Sequence, residues 1–261
     1  MSLQELFART RSERRAALVG YLPAGYPSVE GSKDVFAAMI DGGADLVEVG
    51  VPYSDPVMDG PTIQLAADVA LKQGFRLKQL FEVVESVSSR GGRAVVMTYW
   101  NPVHRYGVDR FARDLASAGG LGMITPDLIP DEAAEWMAAS EQHGLDRIFL
   151  VAPSSSEERL DLTARASSGF VYATAVMGVT GARDQVGAGA AELVRRARAH
   201  TDLPIGVGLG VKSREQAAEV AGFADAVIVG SALVTKAAEG TDAVRALTAE
   251  LAEGVREPVA A

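Results

Sequence analysis

Asp45-Leu-Val-Glu48-Val-Gly50-Val-Pro52-Tyr-Ser-Asp55-Pro56-Val-Met-Asp59-Gly60-Pro61-Thr-Ile-Gln64 is the stretch around which the chain is organised. It starts as a short apolar run with one carboxylate, Glu48, in its middle. A charged side chain is almost never buried without a partner or a purpose. The run then breaks into a loop with three prolines and two further acids, Asp55 and Asp59. A strand that carries an inward carboxylate and opens into a rigid, acid-bearing loop has the make-up of half an active site.

The run is one of eight: Ala17–Tyr21, Asp45–Val49, Ala94–Tyr99, Leu121–Thr125, Arg147–Val151, Phe170–Thr174, Pro204–Val207 and Ala226–Val229. Segments of helical period separate them. Val35, Phe36, Met39 and Ile40 make one apolar stripe; Leu77, Leu80, Phe81, Val84 and Val87 make a clearer one. Ser155-x-x-Glu158 and Ser213-x-x-Gln216 fit helix-starting capping boxes. The interval from Gly50 to Arg93 predicts a long loop, a helix from about Pro61 to Gln73 and a crossover helix. Residues 2–12 predict a short helix that caps the closed bottom of a barrel, and residues 241–253 a last one. The end, Glu257 to Ala261, is expected to fray. Alternating strands and helices imply parallel pairing with right-handed crossovers. Eight units in 261 residues predict an α/β fold, a single (β/α)8 TIM barrel domain spanning residues 1–261. A doubly wound open sheet is the structural competitor.

Bulk properties narrow the function. Net charge is −9, which argues against nucleic acid and anionic membrane as partners. There is no cysteine, and His104, His143 and His200 lack metal spacing, so no metal site is expected. The first fifteen residues lack an apolar signal core, and no apolar run approaches the roughly 18 residues of a membrane span. A soluble cytoplasmic protein is the expectation.

In a barrel, function sits at the C-terminal ends of strands. Side-chain alternation puts Leu46, Glu48 and Gly50 on one face and Val47 and Val49 on the other. The β-branched pair suits the helix side, which sends Glu48 into the barrel mouth. The same alternation groups Met97 with Tyr99, Met123 with Thr125 and Asp127, and Phe170 with Tyr172. Gly178-Val-Thr-Gly181, Gly208-Leu-Gly210 and Gly230-Ser231 follow the last three strands. Glycines let backbone approach a ligand, and phosphate sites recur in this part of barrels. Blander readings stand beside these. Glu48 can be a buried acid tied to backbone or arginine, Asp59 a solvated turn residue, Tyr172 a core tyrosine, and the glycines plain βα turns.

The Glu48-x-Gly50-x-Pro52-x-Ser54-Asp55-Pro56-x-x-Asp59-Gly60-Pro61 pattern resembles the tryptophan synthase α chain family. The likeness extends to Gly25-Tyr-Pro27, Tyr99-Trp-Asn-Pro102, Pro126-Asp127 and the three glycine turns, in the family's order. It implies a barrel that cleaves indole-3-glycerol phosphate to indole and glyceraldehyde 3-phosphate. By the same resemblance Glu48 matches the acid–base catalyst and Asp59 the second catalytic carboxylate. Tyr172 matches the pocket tyrosine; Tyr21, Met97, Tyr99, Asp127 and Thr180 match pocket or adjoining positions. Gly181, Gly210, Gly230 and Ser231 match the phosphate cradle. The chain departs from the family at Pro23-Ala-Gly-Tyr-Pro27, where many members have Thr-x-Gly-Asp-Pro, and at Val176, where many have arginine. The resemblance implies no cofactor in this chain. It implies a β chain partner that holds pyridoxal phosphate in an α2β2 assembly. The Pro52–Gly60 loop and a loop from Gly178 to about Gly189 are the expected moving parts. Two other readings remain: another phosphate-binding barrel, an isomerase or aldolase, and a catalytically silent activating subunit. No strand run contains the lysine a Schiff-base aldolase needs, and the presence of both Glu48 and Asp59 disfavours a silent barrel.

Overall fold

The computed structural model of the chain describes residues 2–174, 184–208 and 210–257, with the side chains of 184–188 outside that description. Eight parallel strands close on themselves: β1 Ala17–Pro23, β2 Leu46–Gly50, β3 Ala94–Met97, β4 Gly122–Thr125, β5 Asp146–Val151, β6 Val171–Thr174, β7 Ile205–Gly208 and β8 Ala226–Val229. β1 pairs with β2 on one side and with β8 on the other, which rules out an open sheet. The fold is a TIM barrel.

Helices cover the outside. α1 is Leu3–Ser12, α2 Val29–Asp41, α3 Pro61–Lys72, α4 Leu77–Ser89, α5 Trp100–Tyr106 and α6 Val108–Ser117. α7 is Ala134–His143, α8 Glu157–Ala166, α9 Asp184–Arg198, α10 Arg214–Ala221, α11 Ser231–Ala237 and α12 Thr241–Arg256. None of the described helices is long and apolar enough to cross a membrane.

Two apolar layers follow from alternation along the strands. Val47, Val49, Val96 and Val207 join the layer between barrel and helices. Leu46, Val95, Ile124, Ile148, Phe170 and Ile228 fill the interior. On β4 it is Ile124 that points inward and Met123 outward, opposite to the grouping of Met123 with pocket-facing residues. The four-residue strand fixes no parity by itself, because Met123 and Ile124 are equally apolar.

α1 closes the bottom. Leu3, Leu6 and Phe7 pack on the interior layer, and Phe7 meets Phe170 with ring centroids 5.7 Å apart. The helix starts with a capping box: Ser2 Oγ accepts from the Glu5 N–H and Glu5 Oε2 from the Ser2 N–H.

Four more predicted features are corrected. α8 is capped by Ser156, whose Oγ accepts from the Arg159 N–H, while Ser155 Oγ accepts from the Ala152 N–H. In a run of three serines the turn leaving β5 chooses the register. β3 ends at Met97 because Tyr99 is the N-cap of α5, a helix not foreseen. α9 already runs from Asp184, so Gly187 and Gly189 lie in a helix rather than in a loop. Single glycines cost a helix only about 1 kcal/mol each. At α10, Ser213 Oγ accepts from Gln216 N–H, but Gln216 Oε1 turns to the Lys212 N–H, giving half of the expected box. Residues 258–261, the segment expected to fray, lie outside the described residues beyond Glu257.

Candidate active site

The strand ends and the loops that follow them enclose a cavity of about 280 Å³ at the barrel mouth. It is lined by Tyr21 of β1, Glu48 of β2, Met97 of β3 and Tyr172 of β6. Met58, Asp59 and Gly60 enter from the loop after β2, with Ile63 from the first turn of α3. Thr174, Gly208, Gly210, Ile228, Gly230 and Ser231 complete the wall. Both carboxylates singled out in the sequence therefore face one cleft, with glycines at and just beyond the ends of β7 and β8 bordering it.

Glu48 is 1% exposed, and among the described residues its Oε1 has no hydrogen-bond partner. Burial without compensation pushes its carboxyl up to about 8. A group with that pKa is a neutral acid at pH 7 and still exchanges its proton readily.

Asp59 is half-buried, and burial raises its pKa as well. A hydrogen bond with the Tyr99 hydroxyl opposes that rise. The same Tyr99 oxygen accepts from the N–H groups of Val57 and Met58, both at 3.1 Å. Tyr99 thus holds three consecutive residues of the acidic loop. Gln64 Nε2 adds a bond to the Asp59 carbonyl at 2.7 Å. The two acids differ in support: Asp59 keeps a donor for its charged form, and Glu48 Oε1 has none among the described residues.

Two tyrosines flank the acids. Tyr21 is the register partner of Glu48 on the neighbouring strand, and Tyr172 sits two residues beyond inward Phe170. Their hydroxyls rest over glycines: a Cβ on Gly50 would stand 2.5 Å from Tyr21 Oη, and one on Gly208 2.5 Å from Tyr172 Oη. Burial and the nearby carboxylates lift both phenols well above their ordinary range. Both hydroxyls therefore keep their protons at neutral pH.

Tyr99 and Asp127 stand behind the cavity wall rather than in it. Asp127 Oδ1 accepts from the Trp100 N–H at 2.8 Å and so fixes the start of α5, next to Tyr99. Thr180, Gly181 and Val176 lie outside the described residues. Ile63, Thr174, Gly208 and Ile228 line the cavity without having been singled out as site residues. Parity with Tyr172 pointed to Thr174, and Gly208 stood in a noted glycine turn. Ile63 gave no signal, because only the path of the loop before α3 brings it to the mouth. Among the described residues no group of three or more His, Cys, Asp or Glu is placed to hold a metal ion.

Comparison with known proteins identifies the family. A family model described as "Tryptophan synthase alpha chain" matches residues 7–260. A tryptophan synthase alpha chain of Nocardia farcinica is 64% identical over 259 residues, covering 99% of this chain and 97% of the relative. A solved structure of Mycobacterium tuberculosis tryptophan synthase aligns with a TM-score of 0.93 at 63% identity, covering 97% of this chain and 98% of that one. The tryptophan synthase subunit alpha of Legionella pneumophila aligns with a TM-score of 0.88 at 31% identity, covering 98% of each chain. The chain belongs to the tryptophan synthase α chain family, lyase subunits that cleave indole-3-glycerol phosphate to indole and glyceraldehyde 3-phosphate in tryptophan biosynthesis.

Proposed function

We propose that Glu48 is the acid–base catalyst of this cleavage and Asp59 the carboxylate that stabilises charge on the indole ring. The observation that carries the reading is an uncompensated buried acid facing the same cavity as a second, hydrogen-bonded one. The bond to be broken joins indole C3 to a carbinol carbon. Glu48 gives its proton to C3, which places positive charge on the ring nitrogen, where the Asp59 carboxylate meets it. The Glu48 carboxylate then takes the proton of the carbinol hydroxyl. The C–C bond breaks with its electron pair returning to the ring, the carbinol oxygen becomes an aldehyde, and Glu48 is an acid again. Atoms and charge balance, and two acids divided by environment supply both roles.

Tyr172 and Met97 border the indole, and the backbone of Gly210, Gly230 and Ser231, with Gly181, receives the phosphate. Tyr99 and Asp127 serve by ordering the mouth, and Thr180 completes the substrate contacts. The test is direct: the purified chain is incubated with indole-3-glycerol phosphate and indole is followed. The Asp59→Asn variant is expected to lose about 10²-fold in kcat, the usual cost of one preorganised electrostatic group. An Asp59→Asn variant as fast as the wild type would refute its role.

The 261 residues act as one domain in the cytoplasm, without a cofactor of their own. The partner is a tryptophan synthase β chain holding pyridoxal phosphate, in an α2β2 assembly. Support comes from exposed apolar side chains: Val57 (78%), Met58 (44%) and Leu65 (66%) project from the acidic loop and α3, and Ile129 (45%) from the loop after β4. Exposed apolar side chains on and beside the acidic loop are surface that a partner chain would cover. A β chain seated there presses on the loop that carries Asp59. Adding purified β chain is therefore expected to raise the rate of indole formation, and an unchanged rate would refute the coupling.

A further inference from the structure

The ring of Tyr21 lines the cavity between the ends of β8 and β2. β1 lies between β8 and β2 in the closed sheet. On the β8 side, a Cβ on Gly230 would stand 3.6 Å from Tyr21 Cδ1. On the β2 side, a Cβ on Gly50 would stand 2.5 Å from Tyr21 Oη and 2.7 Å from Cζ. Glu48 and Gly50 share the inward face of β2, so the hydroxyl rests one inward position nearer the mouth than Glu48. A substrate with its phosphate at Gly230 and its indole by Asp59 must lay its three-carbon link across this ring.

We propose that the Tyr21 hydroxyl donates a hydrogen bond to the carbinol oxygen of the substrate, the oxygen that becomes the aldehyde. The proposal rests on the assignment of Glu48 and Asp59 made above. In the cleavage the carbinol proton goes to Glu48 and the C–C electron pair goes to the indole ring. Tyr21 keeps its own proton throughout. Its donor meets the negative charge that gathers on the oxygen while that proton leaves, the arrangement of an oxyanion-stabilising group. No hydrogen bond joins the Tyr21 hydroxyl to Glu48 Oε1. Among the described residues Glu48 Oε1 accepts no hydrogen bond, and burial alone accounts for its raised pKa. Burial, then the charges of Asp59 and Glu48, keep Tyr21 protonated, so it is a donor across the working range.

The test is Tyr21→Phe in the full-length chain, which deletes one oxygen and preserves the ring against Gly50 and Gly230. Three readouts are taken: kcat for indole release, the pH midpoint of kcat/KM, and the affinity for an inert analogue whose glycerol hydroxyls are replaced by hydrogen. The expected result is a fall in kcat of about 10²-fold, with the analogue's affinity and the pH midpoint unchanged. A kcat within about twofold of wild type overturns the proposal. So does a pH midpoint displaced by about one unit, which would make Tyr21 a positioning residue for Glu48. An equal loss of analogue affinity also overturns it, since the analogue has no oxygen there to contact. A wild-type chain that releases no indole, alone or with the β chain, brings down the site assignment and this proposal together. A wild-type chain that cleaves beside an equally fast Tyr21→Phe variant brings down this proposal alone.

Discussion

Glu48→Gln is expected to abolish cleavage, lowering kcat by about 10³-fold or more, because the amide can neither give a proton to C3 nor take one from the carbinol. The substitution is nearly isosteric, so the fold survives it. Retention of more than about a tenth of the wild-type rate would exclude Glu48 as the acid–base group. Stability supplies an independent check. The folded-state pKa of about 8 lies above the ordinary 4.5 of the unfolded chain. Between these values the folded protein binds the extra proton, so stability falls as pH rises through that window. The loss is on the order of a few kcal/mol by pH 8. Glu48→Gln removes this term, and its unfolding free energy is expected to be flatter than that of the wild type between pH 5 and pH 8. Parallel curves for the two proteins would show that Glu48 is not held neutral by burial.

Asp45→Ala is expected to be the most destabilising single change on the closed face of the barrel. Asp45 is 6% exposed at the start of β2. Arg15 grips it through both oxygens at 2.7 and 2.9 Å, Arg9 of α1 adds a contact at 3.1 Å, and the Leu18 N–H a fourth at 3.0 Å. Burial alone would raise its pKa. The Arg15 hydrogen bonds, the Leu18 N–H and the charges of Arg15 and Arg9 outweigh burial and lower it. Removing Asp45 leaves the Arg15 guanidinium, itself 8% exposed, with only the more exposed Glu13 carboxylate at 2.6 Å, at a cost of about 3 kcal/mol. In a chain of this size that is a fall in Tm of roughly 10 °C. The pH sign is the reverse of that for Glu48. A lowered carboxylate pKa stabilises the fold above the unfolded value and is lost as pH falls through the folded one. The gap between wild type and Asp45→Ala is therefore expected to close on acidification below about pH 4. A gap that stays constant down to pH 2 would assign the loss to packing rather than to the ion pair.

Asp45 and Glu48 mark the reach of the sequence. Periodicity located eight strands, the long second loop and the stripes that face the barrel, because alternation and 3.6-residue spacing are local properties. Parity on β2 placed Glu48 inward, since only Val47 and Val49 suit the helix layer. It failed on β4, where neighbouring residues are equally apolar and the choice of face passes to the packing. The acidic motif made both carboxylates visible as site candidates, and the glycine turns marked the strand ends that border the cavity.

Alternation puts Asp45, just before β2, and Glu48 on opposite faces, but nothing along the strand tells which of the two carries the charge. They are three residues apart, both buried, and both carboxylates. Their charges are decided by side chains distant in sequence: Arg9 from α1 and Arg15 from the turn before β1 reach Asp45, while no described partner reaches Glu48 Oε1. The amino-acid sequence by itself determined the strand order, the helix stripes and the chemical inventory of the mouth, all of which follow from nearest-neighbour spacing. Only the closed barrel decided which carboxylate is a paired anion and which a free acid. A carboxyl's pKa depends on how much water and which charges surround it, and both are set by chain segments that meet only after folding.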